Sequence, residues 1–269
     1  MSTLYIEPFS GLSGDMLLSA LCSLTDAWEE IATLPEKLHL PDGKVEVAAV
    51  NVNGIVCNHV KIIDLNEQKE KKHSQLLHIQ PHHHHQTHRH LKDILAIIDK
   101  GHISEGAKTI AKAIFTLIGE SEARVHNIPL EKIHFHEVSA VDSILDIVGC
   151  AVMLDKLDVT QTYSDAICTG FGMVKTQHGI LPVPAPATAD LLRGMPVYKG
   201  DEEGEKVTPT GAAILRYLKP DFKPQVFSVE KIAYGPGQKR FRNPNVVRIS
   251  VLEESASKKK QPNKFQVRL

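Results

Sequence analysis

The sequence predicts an α/β or α+β fold, with a central sheet flanked by helices. Three observations carry this. Stretches with strand-like alternation recur between stretches with helical periodicity. One predicted helix, running through Ile144, Leu145, Ile147, Val148, Ala151, Val152 and Leu154, is apolar nearly all round and must therefore be buried. A hydrophobic fraction of 42% over 269 residues supplies enough apolar surface for one large core. We place a single domain at 1–252, interrupted by a flexible His-rich loop at 66–90, with 253–269 a disordered tail.

The elements follow in order. Thr3 to Ile6 alternates as a strand and runs into a glycine-bearing loop, Gly11-Leu12-Ser13-Gly14-Asp15, ahead of a helix over Met16 to Leu24. Lys44 to Val50 and Ile55 to Leu65 read as a hairpin turning at Asn53-Gly54. Residues 66–90 are polar and dense in histidine, with too little apolar surface to fold alone. Helices are predicted over Leu91 to Asp99 and from an N-cap at Ser104 to about Val125. The buried helix should begin near Ser139, where Ser139 and Asp142 have capping-box spacing. Tyr163 to Thr169 reads as a strand. The proline run from Leu181 to Pro186 is stiff and extended, and a helix follows to Leu192. A further helix lies within Val207 to Leu218, with Thr210 as its expected cap. A glycine loop, Tyr234 to Asn243, precedes a last strand over Val246 to Leu252.

Several function classes are disfavoured. The formal net charge is −1, and no basic stripe or aromatic platform suggests nucleic acid. No run is apolar enough to span a bilayer, and the N-terminus lacks a secretory signal pattern. Cys22, Cys57, Cys150 and Cys168 are widely spaced without a CxxC pair, as expected of reduced, packed thiols in a cytoplasmic protein.

Candidate chemistry centres on HFHEVSAVDSILDIVG, residues 134–149. His134 and His136 share a face if the segment is extended, and Asp142 and Asp146 share a face of the helix. Two carboxylates on a buried helix are costly unless a cation or donors stand opposite, so His134, His136, Asp142 and Asp146, with Glu137 nearby, form a candidate divalent-metal corner. The alternative is that Asp142 serves the helix dipole and Asp146 meets an arginine. The 66–90 tract holds His82, His83, His84, His85, His88 and His90 among others, and would collect nickel, copper or zinc without imposing one geometry. Gly11, Gly14 and Asp15, together with Thr210 and Gly211, sit at helix starts that suit an anion, although capping and turn formation explain much of both. Lys239, Arg240 and Arg242 form a basic loop, suited to phosphate or merely solvated.

Taken together, the Gly11–Met16 loop, the His tract, residues 134–149, HGILPVPAPAT, TPTGAA and YGPGQK resemble the LarC family of nickel-insertion proteins, in order along nearly the whole chain. The resemblance implies a cyclometallase that inserts nickel into pyridinium-3,5-bisthiocarboxylic acid mononucleotide. It would make two nickel–sulfur bonds and one nickel–carbon bond, and so complete the nickel-pincer cofactor delivered to lactate racemase apoprotein. It also implies coupling to CTP with manganese or magnesium, bound by a C-terminal portion of the family product that this chain lacks. In that setting His136 or Glu137 would take the ring proton, with Asp142 beside them, and the glycine loops and Lys239 and Arg240 would meet the nucleotide. Two other functions stay open: a nickel store without chemistry, and a metal-dependent phosphohydrolase built on Glu7, Asp15, His134, His136 and Asp142. Self-association is left open.

Overall fold

The computed structural model describes residues 1–66, 89–135, 138, 140–223 and 226–253. The predicted fold class is what it shows: a central mixed sheet flanked by helices. The elements are β1 (Ser2–Glu7), α1 (Gly14–Thr25), α2 (Trp28–Ala32), α3 (Leu34–Lys37), β2 (Gly43–Val52), β3 (Ile55–Asp64), α4 (Leu91–Lys100), α5 (Glu105–His126) and α6 (Val141–Leu157). These are followed by β4 (Val159–Ser164), β5 (Ile167–Cys168), β6 (Gly170–Phe171), β7 (Met173–Thr176), β8 (Gly179–Pro182) and α7 (Pro186–Leu191). The chain continues with β9 (Val197–Tyr198), β10 (Gly204–Glu205), α8 (Pro209–Leu218), β11 (Val229–Pro236) and β12 (Val246–Leu252).

The central sheet has the order β11-β12-β1-β4. β1 runs parallel to β4 and antiparallel to β12, and β12 is antiparallel to β11. α1 lies against β11 and β12 and turns its other side to α6, which in turn packs on α5. This makes α6 an interior helix. From Ser143 to Leu154 only Asp146 escapes full burial, as the apolar run requires. The β2–β3 hairpin is a separate ribbon, fixed to α1 by the Val60 N–H, which donates to the buried Ser19 Oγ at 2.9 Å.

Some expectations need correcting. Tyr163 to Thr169 is not one strand. β4 ends at Ser164, and the chain then leaves β1 so that β5 can pair with β9. The cap of α8 is Thr208 rather than Thr210; its side chain accepts from the Gly211 N–H, while Thr210 bonds back to Thr208 at 2.8 Å. α6 starts after Ala140, which makes no side-chain cap, and Ser139 lies outside the described residues. The sequence reading also missed α2, α3 and the edge strand β11. The thiols are as expected: all four are free, with Cys22, Cys150 and Cys168 buried and Cys57 half-buried. The loop expected at 66–90 and the tail expected at 253–269 lie almost wholly outside the described residues.

β11 crosses α1 at unusually close range. A Cβ on Gly235 would fall 1.7 Å from the Met16 carbonyl oxygen and 3.0 Å from Ala20 N. Backbone cannot give way as a side-chain tip can, so Gly235→Ala must push the strand off the helix. We expect a loss of about 1–3 kcal/mol, typical of overpacking, read as a lower midpoint in thermal or urea unfolding. An unchanged midpoint would show that the strand and helix separate freely.

Candidate functional site

Three helix starts meet at one corner of the molecule. The loop before α1 and the segment before α8 are laced together: Leu12 N–H donates to the Lys206 carbonyl at 2.8 Å, and Thr208 N–H to the Leu12 carbonyl at 3.0 Å. The glycines of both segments permit this approach. A Cβ on Gly11, whose φ is +108°, would lie 2.0 Å from the Lys206 carbonyl oxygen, and one on Gly211 would lie 2.4 Å from that of Leu12. Gly14 opens the third contact, because a Cβ there would stand 2.8 Å from Asp146 Oδ2 on α6.

The corner is acidic and poorly compensated. Asp15 is buried; its Oδ1 accepts from the Ser13 hydroxyl and from the Met16 N–H at 3.0 Å. Its Oδ2 stands 3.8 Å from His59 Nε2, beyond hydrogen-bonding distance. His59 comes from β3 and its side chain is only 14% exposed; Nε2 is sealed from solvent without a hydrogen-bond partner among the described residues. Asp146 Oδ1 is in the same condition. As a whole residue Asp146 is half-buried, but its carboxylate is withdrawn into the α1–α6 contact. Burial first, and then the neighbouring charges of Asp15 and Asp142, push that carboxyl well above its ordinary range. Asp142, on the first turn of α6, is more exposed and accepts from the Ser143 N–H at 2.7 Å.

Two ligands that each stand about 2.0–2.2 Å from a divalent ion are at most about 4.4 Å apart. The 3.8 Å separation of His59 and Asp15 is therefore compatible with one ion held between them. Among the described residues, however, no three His, Cys, Asp or Glu side chains are gathered at metal-holding spacing. The groups approach a shell without closing one.

The other candidates fall elsewhere. His136, Glu137, His82, His83, His84, His85 and His88 lie outside the described residues. His134 is exposed and stacks on His90, with ring centroids 3.8 Å apart, in an isolated antiparallel bridge. His90 also caps α4 through a reciprocal bond with Asp93. Glu7, grouped above with Asp15, is committed to Arg248 by a two-pronged ion pair. The basic loop is not an isolated positive patch. Lys239 pairs with Glu205 at 3.0 Å, Arg242 pairs with Asp201, and Glu202 accepts from the N–H groups of Arg242 and Asn243. Arg240 is exposed. His178 sits on the β7–β8 turn, its ring 4.8 Å from that of His126, which approaches Glu122 at 3.4 Å.

Sequence reading missed His59 and Lys206. Lys206 is the more surprising, since its side chain is 2% exposed and its ammonium lies 4.6 Å over the Phe241 ring. It lines a cavity of about 210 Å³ together with Ser13, Asp15, Thr208, Gly237 and Lys239. A larger concavity, about 1000 Å³, lies between α5, β4 and α8, and none of the candidate residues lines it.

The family model described as Nickel insertion protein matches residues 4–267. The chain belongs to that family. A curated relative from Dictyoglomus thermophilum is 42% identical over 265 residues, covering 98% of this chain and 64% of its own length. Relatives from Staphylococcus epidermidis RP62A (38% identical, 91% of this chain, 58% of the relative) and Alkaliphilus metalliredigens (37%, 94%, 61%) carry a fuller name. Each is called a pyridinium-3,5-bisthiocarboxylic acid mononucleotide nickel insertion protein. The chain thus spans about three fifths of the length of these relatives. No solved structure matches it. No helix among the described residues of this family member is long and apolar enough to cross a membrane.

Proposed function

We propose that this chain is the metal-handling part of a nickel insertase that acts on pyridinium-3,5-bisthiocarboxylic acid mononucleotide. The observation that carries the reading is a pair of sealed atoms without partners among the described residues, Asp146 Oδ1 and His59 Nε2, beside Asp15. Buried polar atoms without partners are uncommon, and a bound ion is one of the few things that account for them. Nickel is the cargo here, and the donors suit transfer. Carboxylate and imidazole bind it less strongly than the two thiocarboxylate sulfurs of the substrate, so the ion moves from oxygen and nitrogen to sulfur. The nickel–carbon bond replaces a ring C–H bond, and the proton leaves to a base. We assign that base to His136 or Glu137, which follow directly on the buried Phe135. CTP with manganese or magnesium would drive the step in the full-length product, and lactate racemase apoprotein would receive the finished cofactor.

The test is insertion by the full-length product with nickel and the thiolated mononucleotide, with and without CTP. Formation of nickel–sulfur bonds is followed by absorbance and the product by activation of lactate racemase. Asp15→Asn and His59→Ala should each slow insertion by roughly 10- to 100-fold, the usual effect of losing a group that holds or orients a metal. Wild-type rates in both variants would overturn the assignment. Nickel binding without any change in the mononucleotide would point instead to a store.

A further inference from the structure

We propose that Lys206 anchors the phosphate of the mononucleotide, with the α1 and α8 starts on either side, so that the pyridinium ring is turned toward Asp15. This rests on the mononucleotide reading above and adds to it where the substrate sits.

A lysine ammonium has three donors, and a buried one must find partners for them. Among the described residues Lys206 does not find enough. Its one hydrogen-bond partner there, Glu202, stands at the long distance of 3.5 Å, and that carboxylate already accepts from Arg242 N at 2.5 Å and Asn243 N at 3.2 Å. The Phe241 ring face 4.6 Å away compensates charge but accepts little. Donor capacity is left over in a side chain that is 2% exposed and lines the 210 Å³ cavity.

The other walls favour an anion. Ser13 stands at the start of the twelve-residue α1, and Thr208 caps the ten-residue α8, so both helices bring the positive ends of their dipoles to the cavity. Of its two carboxylates, Glu205 is neutralised by Lys239 at 3.0 Å. Asp15 has one oxygen held by Ser13 and Met16 and directs the other toward His59. The cavity has room for a phosphate but not for a whole mononucleotide, so the nucleoside must extend out of it. Asp15 belongs to both the cavity lining and the His59–Asp146 corner, which gives the extended ligand a direction.

The experiment is calorimetric titration of this chain with nicotinic acid mononucleotide, with the matching nucleoside that lacks phosphate, and with inorganic phosphate. The wild type should bind the mononucleotide at least ten times more tightly than the nucleoside, and inorganic phosphate should compete with the former only. Lys206→Met should bring the two affinities within about threefold of each other, while Lys206→Arg should retain most of the preference. Nickel titration of Lys206→Met should match wild type, which separates this inference from the insertion reading. An undiminished preference in Lys206→Met, or none in the wild type, overturns the proposal. If Lys206→Met does not fold, Lys206→Arg and the phosphate competition decide it: absence of competition in the wild type is then the refuting result.

Discussion

Replacing Asp146 by asparagine is expected to stabilise the metal-free protein and at the same time to remove most of its affinity for nickel. The carboxyl is raised well above 3.8, its ordinary value, by burial and by Asp15 and Asp142. The folded state then keeps this proton over a pH range in which the unfolded chain has released it. The stability this confers is therefore complete below 3.8 and is lost as pH rises through the folded value. Asparagine cannot ionise, so the variant escapes the loss. At pH 7–8 the gain should be on the order of 1–3 kcal/mol, or about 2–4 °C in midpoint for each kcal/mol in a chain of this size. Nickel acts in the opposite sense. A ligand bound only by the folded state adds about 2.7 kcal/mol when present at a hundred times its Kd, and that increment should appear in the wild type and nearly vanish in Asp146→Asn. Scanning thermal unfolding across pH 4–8, with and without nickel, checks both halves. A variant destabilised at neutral pH without metal would show that Asp146 has an unseen donor and is structural.

That opposition of signs also separates what could be read from the sequence from what could not. The apolar run of α6 announced a buried helix, and the spacing of Asp142 and Asp146 announced carboxylates on it, because helical periodicity is local. Asp15 was visible as the first acidic residue of a helix. The nearness of the Asp15 charge to Asp146 was not, since it depends on Gly14 letting α1 approach α6 over a separation of 131 positions. His59 gave no signal either. It is one polar residue in an alternating strand, and it is long-range packing, with the hydrogen bond from Val60 to Ser19, that carries that strand to α1. Lys206 was concealed by its neighbours, because Asp201, Glu202, Glu203 and Glu205 make the segment read as solvated surface. In the fold Asp201, Glu202 and Glu205 meet the basic loop at Lys239 and Arg242, and the lysine beside them is left inside. The edge strand β11 escaped for a similar reason. Its first four residues are exposed and two of them are charged, which obscures the alternation.

Phe135→Ala should be among the most damaging single substitutions near the site, although Phe135 is flanked by the candidate ligands His134 and His136. Its side chain is fully buried and is one of the largest in the core. The ring lies 6.4 Å from that of Phe115, tilted by 57°, and its tip would be 3.6 Å from a Cβ on Gly119, so it fills a site made by α5. Truncation removes the transfer energy and leaves a cavity, for a loss of about 3–5 kcal/mol. At about 2–4 °C for each kcal/mol, that is a drop of roughly 6–20 °C in midpoint. Phe135→Leu keeps most of the volume and should cost less than about 1.5 kcal/mol. The pair of variants distinguishes anchoring from chemistry. Phe135 is one point at which the segment ahead of α6 is pinned to α5, with His134 turned outward to His90. If that anchor serves to place the residues that follow it, insertion by the full-length product should fall steeply in Phe135→Ala even below its unfolding temperature, and should survive in Phe135→Leu. If Phe135→Ala inserts nickel at the wild-type rate while folded, the segment does not depend on this anchor, and the proton acceptor must be sought on the rigid elements around Asp15.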